Sequence, residues 1–307
     1  MEKLVQAQRS HHRLVCYNGA SQGAPFFYFE NQDVTLRPIH LLTILLCAVF
    51  LSACSSKQTP TEPAPAPPDA SPPVRWTPPW TASWQIQRSG PLDPSLPVNI
   101  YFLDLFNTPP ETISQLHARG VKVVCLFSAG TLNNQQPDAG QFPPEIQGNG
   151  LTGQTGEVWL DIRNLQALAP IVLARFSLAS QKGCDSVAPE HVNGYANNTG
   201  FPLNAEDQLA YNIFLANAAH QNNFAIGLTD DIQQIPNLVS FFDWALNEDC
   251  FSNQQCDQLL PFTQAGKPVF VIEYNLEPSA FCGQAASMQF NAIRKNPSLD
   301  AALTSCR

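Results

Sequence analysis

The chain is poor in charge. Asp, Glu, Lys and Arg make up 13% of its 307 residues, about half of the ~25% usual in soluble domains. Basic residues are the scarcer sign, 16 against 25 acidic, for a net charge of −9. That balance argues against a nucleic-acid partner, which would need a basic face. It permits a cationic ligand such as an amino sugar. No glycine-rich phosphate loop follows any strand-like run, which argues against a nucleotide fold. The sequence holds no Cys-x-x-Cys and no His-x-x-x-His, so neither a metal centre nor a cofactor is expected. Its leading apolar run, His40–Phe50, is shorter than the ~20 residues that span a bilayer. Hydrophobic residues nonetheless reach 44%, enough for a large core in one domain.

What the chain does have is a repeated pattern: short apolar runs that end in a carboxylate. They are Val98–Asp104, Glu157–Asp161, Cys184–Glu190, Phe224–Asp230, Asp243–Glu248 and Val269–Glu273. Such runs read as strands buried on both faces. Adding Trp84–Gln87 and Lys122–Ser128, and extending the last run to Tyr274, gives eight predicted strands. Helices are predicted over Glu111–Arg119, Leu165–Gln181 and Ala205–Gln221, the first two stopped by Gly120 and Gly183. Arg88–Pro97 is too short for a helix. Eight strands with intervening helices over about 230 residues predict an α/β fold, a single-domain (β/α)8 TIM barrel, with an open doubly wound sheet as the rival. In a barrel the C-terminal strand ends share one face, which would gather these acids around one pocket.

The barrel is expected over residues 76–307, behind a signal and a linker. His40–Phe50 follows Arg37 and runs into Leu51-Ser52-Ala53-Cys54, a secretory pattern that resembles a bacterial lipobox with lipidation at Cys54. Residues 1–54 are thus read as a lipoprotein signal region. Its over-extended start places the true initiator at Val34 or Leu36; a cellular peptide from residues 1–33 would refute this. Residues 55–75, rich in Pro, Ala and Ser, form an extended linker. The expected location is an exported protein, lipid-anchored to the cell envelope at the outer membrane or cell surface, and monomeric. Export permits disulfides. Cys250–Cys256 and Cys282–Cys306 are the expected pairs; Cys125 and Cys184 either pair or stay as buried thiols.

Converging acids suit glycoside hydrolysis, which uses two carboxyl groups flanking the scissile bond. Glu190 and Glu248 are the best candidates, since each ends a strand beside other polar residues. Asp104 and Asp230 are suited to sugar hydroxyls or an ammonium, and Glu273 with Tyr274 to a subsite wall. Asp185, early in its strand, and Asp161, two residues before Arg163, have structural readings as well. Trp80, Trp84, Trp159, Trp244 and Tyr195 are candidates for stacking on sugar rings, although packing is the commoner use of such aromatics.

Taken together, Trp84–Gln87, Val98–Asp104, Leu126–Gly130, Gly156–Arg163, Gly183–Asp185 with Pro189–Tyr195, Gly200-Phe201, Asn247–Phe251, Cys256, Gly266–Lys267 and Glu273–Tyr274 resemble glycoside hydrolase family 114, the endo-α-1,4-polygalactosaminidases. The resemblance runs from about Trp80 to Tyr274. It implies a (β/α)8 barrel, cleavage of α-1,4-linked galactosamine polymers by a retaining mechanism, and a catalytic pair at Glu190 and Glu248. The substrate-binding set expected around that pair is Asp104, Asp185, Tyr195, Asp230, Asn247, Glu273 and Tyr274. Where the family shows Pro-Asp-Asn-Val-Asp-Gly-Tyr this chain has Pro189-Glu190-His191-Val192-Asn193-Gly194-Tyr195, and Leu228-Thr229-Asp230 replaces Leu-Lys-Asn. The longer Glu190 moves its carboxyl by roughly 1 Å, a displacement that can cost ~100-fold in rate. The alternative function is a catalytically weak barrel that binds glycan; a structural lipoprotein fits the acids least.

Overall fold

The computed structural model describes residues 75–307. The signal region, Cys54 and the linker to residue 74 lie outside the described residues. The strands are β1 (Trp84–Ile86), β2 (Ile100–Asp104), β3 (Lys122–Ser128), β4 (Thr131–Asn133), β5 (Gln147–Gly150), β6 (Glu157–Leu160), β7 (Ser186–Glu190), β8 (Ala225–Thr229), β9 (Trp244–Glu248), β10 (Val269–Glu273), β11 (Asn291–Arg294) and β12 (Thr304–Ser305). The helices are α1 (Pro110–Ala118), α2 (Leu165–Lys182), α3 (Ala205–Gln221), α4 (Ile235–Leu238), α5 (Leu260–Gln264) and α6 (Pro278–Ser287).

One sheet runs β1-β2-β3-β7-β8-β9-β10-β11-β12. Neighbours from β1 to β11 are parallel, and only β12 is antiparallel. The sheet is curled, because strands distant in its order share one interior. Trp84 and Phe102 lie 5.2 and 5.3 Å from Phe270, and Phe102 meets Trp244 edge-on at 5.4 Å. Aromatic pairs at such spacing add to the burial of their area. Room for them comes from Gly227, where a Cβ would overlap the Trp244 indole. Side chains bridge β1 to β11 and the segment after it: Trp84 Nε1 donates to the Asn291 carbonyl at 3.2 Å, and Lys295 Nζ to Gln85 Oε1 at 2.7 Å. This mixed α/β fold is TIM-barrel-like. A second, outer core lies between the sheet and its helices.

The helices begin and end as their sequences dictate. Asn164 caps α2 through its side chain, and Gly183 ends it at φ 87°, a left-handed conformation easy only for glycine. Asn204 and Asp207 form a capping box on α3. Three disulfides close the described part: Cys125–Cys184, Cys250–Cys256 and Cys282–Cys306.

Two strand expectations are corrected. Glu157–Asp161 does not enter the curled sheet; its residues 157–160 form β6, the centre of an antiparallel sheet β4-β6-β5. The chain turns directly from β3 into β4, and β4 pairs with that run before any helix can cross over. The eighth parallel strand is instead β11. It carries only Ala292 and Ile293 as apolar residues, and Asn291 is buried with its side-chain amide donating to the Ala82 carbonyl just before β1.

Candidate functional site

The C-terminal strand ends open onto a cleft of about 570 Å³. Its acidic side chains are Asp104 from β2, Glu157 from β6, Glu190 from β7, Asp230 after β8 and Glu248 from β9. Arg88, Arg175, Trp159, His191, Tyr274 and the segment Pro297–Leu299 also line it. Arg175 is committed elsewhere: it is buried, grips Asp138 at 2.7 and 3.1 Å, and lies over the rings of Phe106, Phe127 and Phe142. Arg88 is thus the cation that answers the cleft's acids.

Glu190 is held from all sides. Its carboxylate forms an ion pair with Arg88. Its carbonyl accepts from the N–H groups of Ala129 at 2.9 Å and Gly130 at 3.3 Å. The preceding Pro189 carbonyl accepts from Thr229 Oγ1 at 2.6 Å, and the following His191 N–H donates to Asp230 Oδ2 at 3.0 Å. Burial works against the Arg88 charge, but Glu190 outweighs it, with Glu248 and Asp104 adding, so the guanidinium stays above its ordinary pKa. Arg88 itself is placed by its N–H, which donates to the Leu299 carbonyl at 2.8 Å.

Glu248 sits differently. Its carboxyl opens onto the cleft and accepts from the Tyr274 hydroxyl at 2.7 Å. Burial by the surrounding walls, then the charge of Asp230, push its pKa up to about 7, against the opposing pull of the Tyr274 hydrogen bond. Burial also raises Asp104, although its Oδ1 accepts from the N–H groups of Phe106 and Asn107 at 2.9 and 2.7 Å. Three residues just past β7, β8 and β9, namely His191, Asp230 and Asp249, have φ of 58°, 63° and 58°. Non-glycine residues adopt this region at a cost, and such strain clusters at functional sites.

The structure brings Glu190, Glu248, Asp104, Asp230 and Tyr274 into this cleft. It does not bring the other expected residues to the lining. Asp185 lies before β7, at the opposite strand ends, where it accepts from Lys122 Nζ, the Val123 N–H and the His117 imidazole at 2.7–2.9 Å. Glu273 is fully buried and turned away, accepting from the Phe251 and Ser252 N–H groups at 2.7 and 3.3 Å. Burial raises its pKa. Tyr195 donates to Gln233 at 3.1 Å and Asp231 at 3.3 Å. Asn247 is buried with an unpaired Oδ1 beside a pocket of about 10 Å³ shared with Asp230 and Asp231. Asp161 makes a bidentate pair with Arg163. Of the tryptophans only Trp159 lines the cleft; Trp84 and Trp244 pack the interior, and Trp80 lies against Arg307.

Arg88, Glu157 and His191 complete the site without having been singled out as ligands from the sequence. Arg88 follows a strand and Glu157 opens one of the carboxylate-bearing runs, but no pattern marks an isolated Arg or a strand's first acid. Among the described residues no group of three His, Cys, Asp or Glu is arranged to hold a metal ion.

Comparison with known proteins places this geometry. A solved structure of Aspergillus fumigatus Ega3 in complex with galactosamine is similar at 36% identity and a TM-score of 0.72, covering 76% of this chain and 98% of that one. The glycoside hydrolase domain of PelA from Pseudomonas aeruginosa shares the fold at 13% identity and a TM-score of 0.56, covering 73% and 97%. No curated protein sequence matches. Residues 65–307 match the glycoside-hydrolase family GH114; the chain belongs to that family and is a glycosidase, endo-α-1,4-polygalactosaminidase-like.

Proposed function

We propose that the protein hydrolyses α-1,4-linked galactosamine-rich polysaccharide with retention, using Glu190 as nucleophile and Glu248 as acid/base. The observation that carries this assignment is the contrast between the two carboxyls. Glu190 is locked in an ion pair with Arg88. Glu248 is pushed up to about 7 by burial and by Asp230, so it can hold a proton near neutrality. In the first step a Glu190 oxygen attacks the anomeric carbon while the glycosidic C–O bond breaks, and Glu248 gives its proton to the leaving oxygen. In the second, Glu248 takes a proton from water, whose oxygen attacks the same carbon and frees Glu190.

The substrate class follows from charge. Five carboxylates line the cleft, and its two arginines are both paired, Arg88 with Glu190 and Arg175 with Asp138, which favours a sugar bearing an ammonium group. The galactosamine bound to Ega3, the 36% identical relative, supports the same reading. Three disulfides suit an oxidising compartment, and with the lipobox-like Leu51–Cys54 they support export and envelope anchoring through Cys54. The test is incubation with partially deacetylated α-1,4-galactosamine polymer, with products followed by mass spectrometry and the new anomeric centre by NMR. Oligosaccharides of α configuration are expected. β products would overturn retention, and no products from the folded protein would favour glycan binding without turnover. Azide separates the roles: it should restore turnover of Glu190→Ala as an inverted glycosyl azide, and of Glu248→Ala as a retained one.

A further inference from the structure

The wall that the antiparallel sheet adds to the cleft holds a buried carboxylate beside an imidazole, and the two-carboxylate reaction uses neither. Glu157 is 7% exposed. Its Oε1 accepts from Ser128 Oγ at 2.9 Å and from Thr131 Oγ1, and lies 3.4 Å from His191 Nδ1. The same Nδ1 lies 3.3 Å from Ser128 Oγ and 3.1 Å from Thr131 Oγ1. Each hydroxyl has one proton, and the carboxylate, as the stronger acceptor, takes both. Nδ1 therefore faces three oxygens that offer only lone pairs, so it must carry hydrogen. In the neutral ring this leaves Nε2 with a bare lone pair.

The ring is also fixed in place. His191 is held at φ 58° with its N–H on Asp230, and its imidazole stands edge-on to Trp159 at 6.2 Å. Both rings line the cleft, and His191 directly follows Glu190 in the chain. We propose that His191, oriented by Glu157, is a substrate-binding residue whose Nε2 accepts a hydrogen bond from an O–H or N–H of the saccharide beside the bond that is cleaved. Glu157 acts through His191 and is a positioning residue. The acids across the cleft supply charge without direction; a single lone pair held by a buried carboxylate supplies direction. The inference rests on the glycosidase reading of the same cleft.

The test is ¹⁵N NMR of the purified protein labelled in histidine, titrated with galactosamine oligosaccharides and with their N-acetylated counterparts. His191→Asn identifies the resonance. The neutral ring is expected to be protonated on Nδ1, with the bare Nε2 resonance moving as saccharide binds. Glu157→Gln, whose amide can donate to Nδ1, should shift the ring toward the other tautomer. His191→Asn should raise KM about 3- to 10-fold, the worth of one hydrogen bond, with kcat little changed. A rise confined to the deacetylated substrate identifies the ammonium as the donor; an equal rise on both identifies a hydroxyl. An Nε2-protonated ring in the wild type, an Nε2 resonance unmoved by saturating saccharide, or an unchanged KM for both substrates overturns the proposal. Cleavage with an unmoved Nε2 sinks only this inference; a moving Nε2 without cleavage sinks only the reaction.

Discussion

The Tyr274 hydroxyl donates to Glu248 Oε2 at 2.7 Å, and this bond opposes the burial and the Asp230 charge that raise the acid. Three influences on one carboxyl give a pH prediction with a sign for each. Rate is expected to fall as pH rises through about 7, because the proton Glu248 must give is lost. Tyr274→Phe removes an influence that favours the charged form, so the alkaline limb moves to higher pH. Asp230→Asn removes one that disfavours it, so the limb moves lower. Glu248→Gln should abolish the limb and cost ~10²–10⁴-fold in kcat. A pH–rate profile for the four proteins checks this; shifts of the same sign in Tyr274→Phe and Asp230→Asn would refute it.

The same protons bear on stability. Asp231 is buried, bonded to Asn212 at 2.8 Å, and burial pushes its pKa, like that of Glu248, up to about 7. A carboxyl raised in the folded state contributes fully below its unfolded pKa, and that contribution is lost as pH rises through the folded value. Thermal stability is therefore expected to decline as pH rises from about 4 through about 7, by roughly 2–4 kcal/mol through buried Asp231, with Glu248, screened by solvent where it opens onto the cleft, adding less. Glu248→Gln and Asp231→Asn should each flatten the decline, the former at the expense of activity. Calorimetry across that range decides it; a wild type equally stable at pH 5 and pH 8 would refute the link.

Four acids that line the cleft, Asp104, Glu190, Asp230 and Glu248, were legible in the sequence because each ends an apolar strand. Period and composition carry that information, and strand ends of a curled parallel sheet converge. Asp185 precedes its strand rather than ending it, and so lies at the opposite strand ends. Glu273 ends its strand as the rule requires, yet its carboxylate turns to the Phe251 and Ser252 N–H groups, a local choice that no pattern encodes. β11 was hidden because only two of its four residues are apolar and Asn291 is buried to reach the Ala82 carbonyl, and β6 was misplaced because an apolar run does not say which sheet will receive it. The pairing of Cys125 with Cys184, left open by spacing, is set by the turn at Gly183 that ends α2 and brings Cys184, ahead of β7, within 5.9 Å of Cys125 between Cα atoms.

Thr229 fixes the peptide before Glu190 through its 2.6 Å bond to the Pro189 carbonyl, while Asp230 fixes the peptide after it. The end of β8 thus sets where the longer Glu190 side chain starts. Thr229→Val keeps the shape and removes the donor, which leaves a buried carbonyl short of a partner at a cost of about 1–3 kcal/mol. Because a displacement of 1 Å can cost ~100-fold, kcat should fall by on the order of 10-fold with KM little changed. Thr229→Ser restores the hydroxyl and should recover most of the rate. Equal activity of the Ser and Val variants would show that the hydroxyl does not position Glu190.

The disulfides differ in how much chain they close: 59 residues for Cys125–Cys184, 24 for Cys282–Cys306 and 6 for Cys250–Cys256. Loop entropy ranks their contributions at about 4, 3.5 and 2 kcal/mol. Function need not follow that rank. Cys282–Cys306 pins the tail beyond Leu299, whose carbonyl holds the Arg88 N–H, and Arg88 holds Glu190. Replacing Cys282 and Cys306 by Ser is therefore expected to lower kcat several-fold at temperatures where the protein stays folded. Replacing Cys125 and Cys184 by Ala should lower Tm more yet leave kcat nearly intact in the cold. Thermal melts paired with rates at 10 °C separate the two effects, and a kcat loss that tracks Tm across both variants would argue against a role for the tail in placing Arg88.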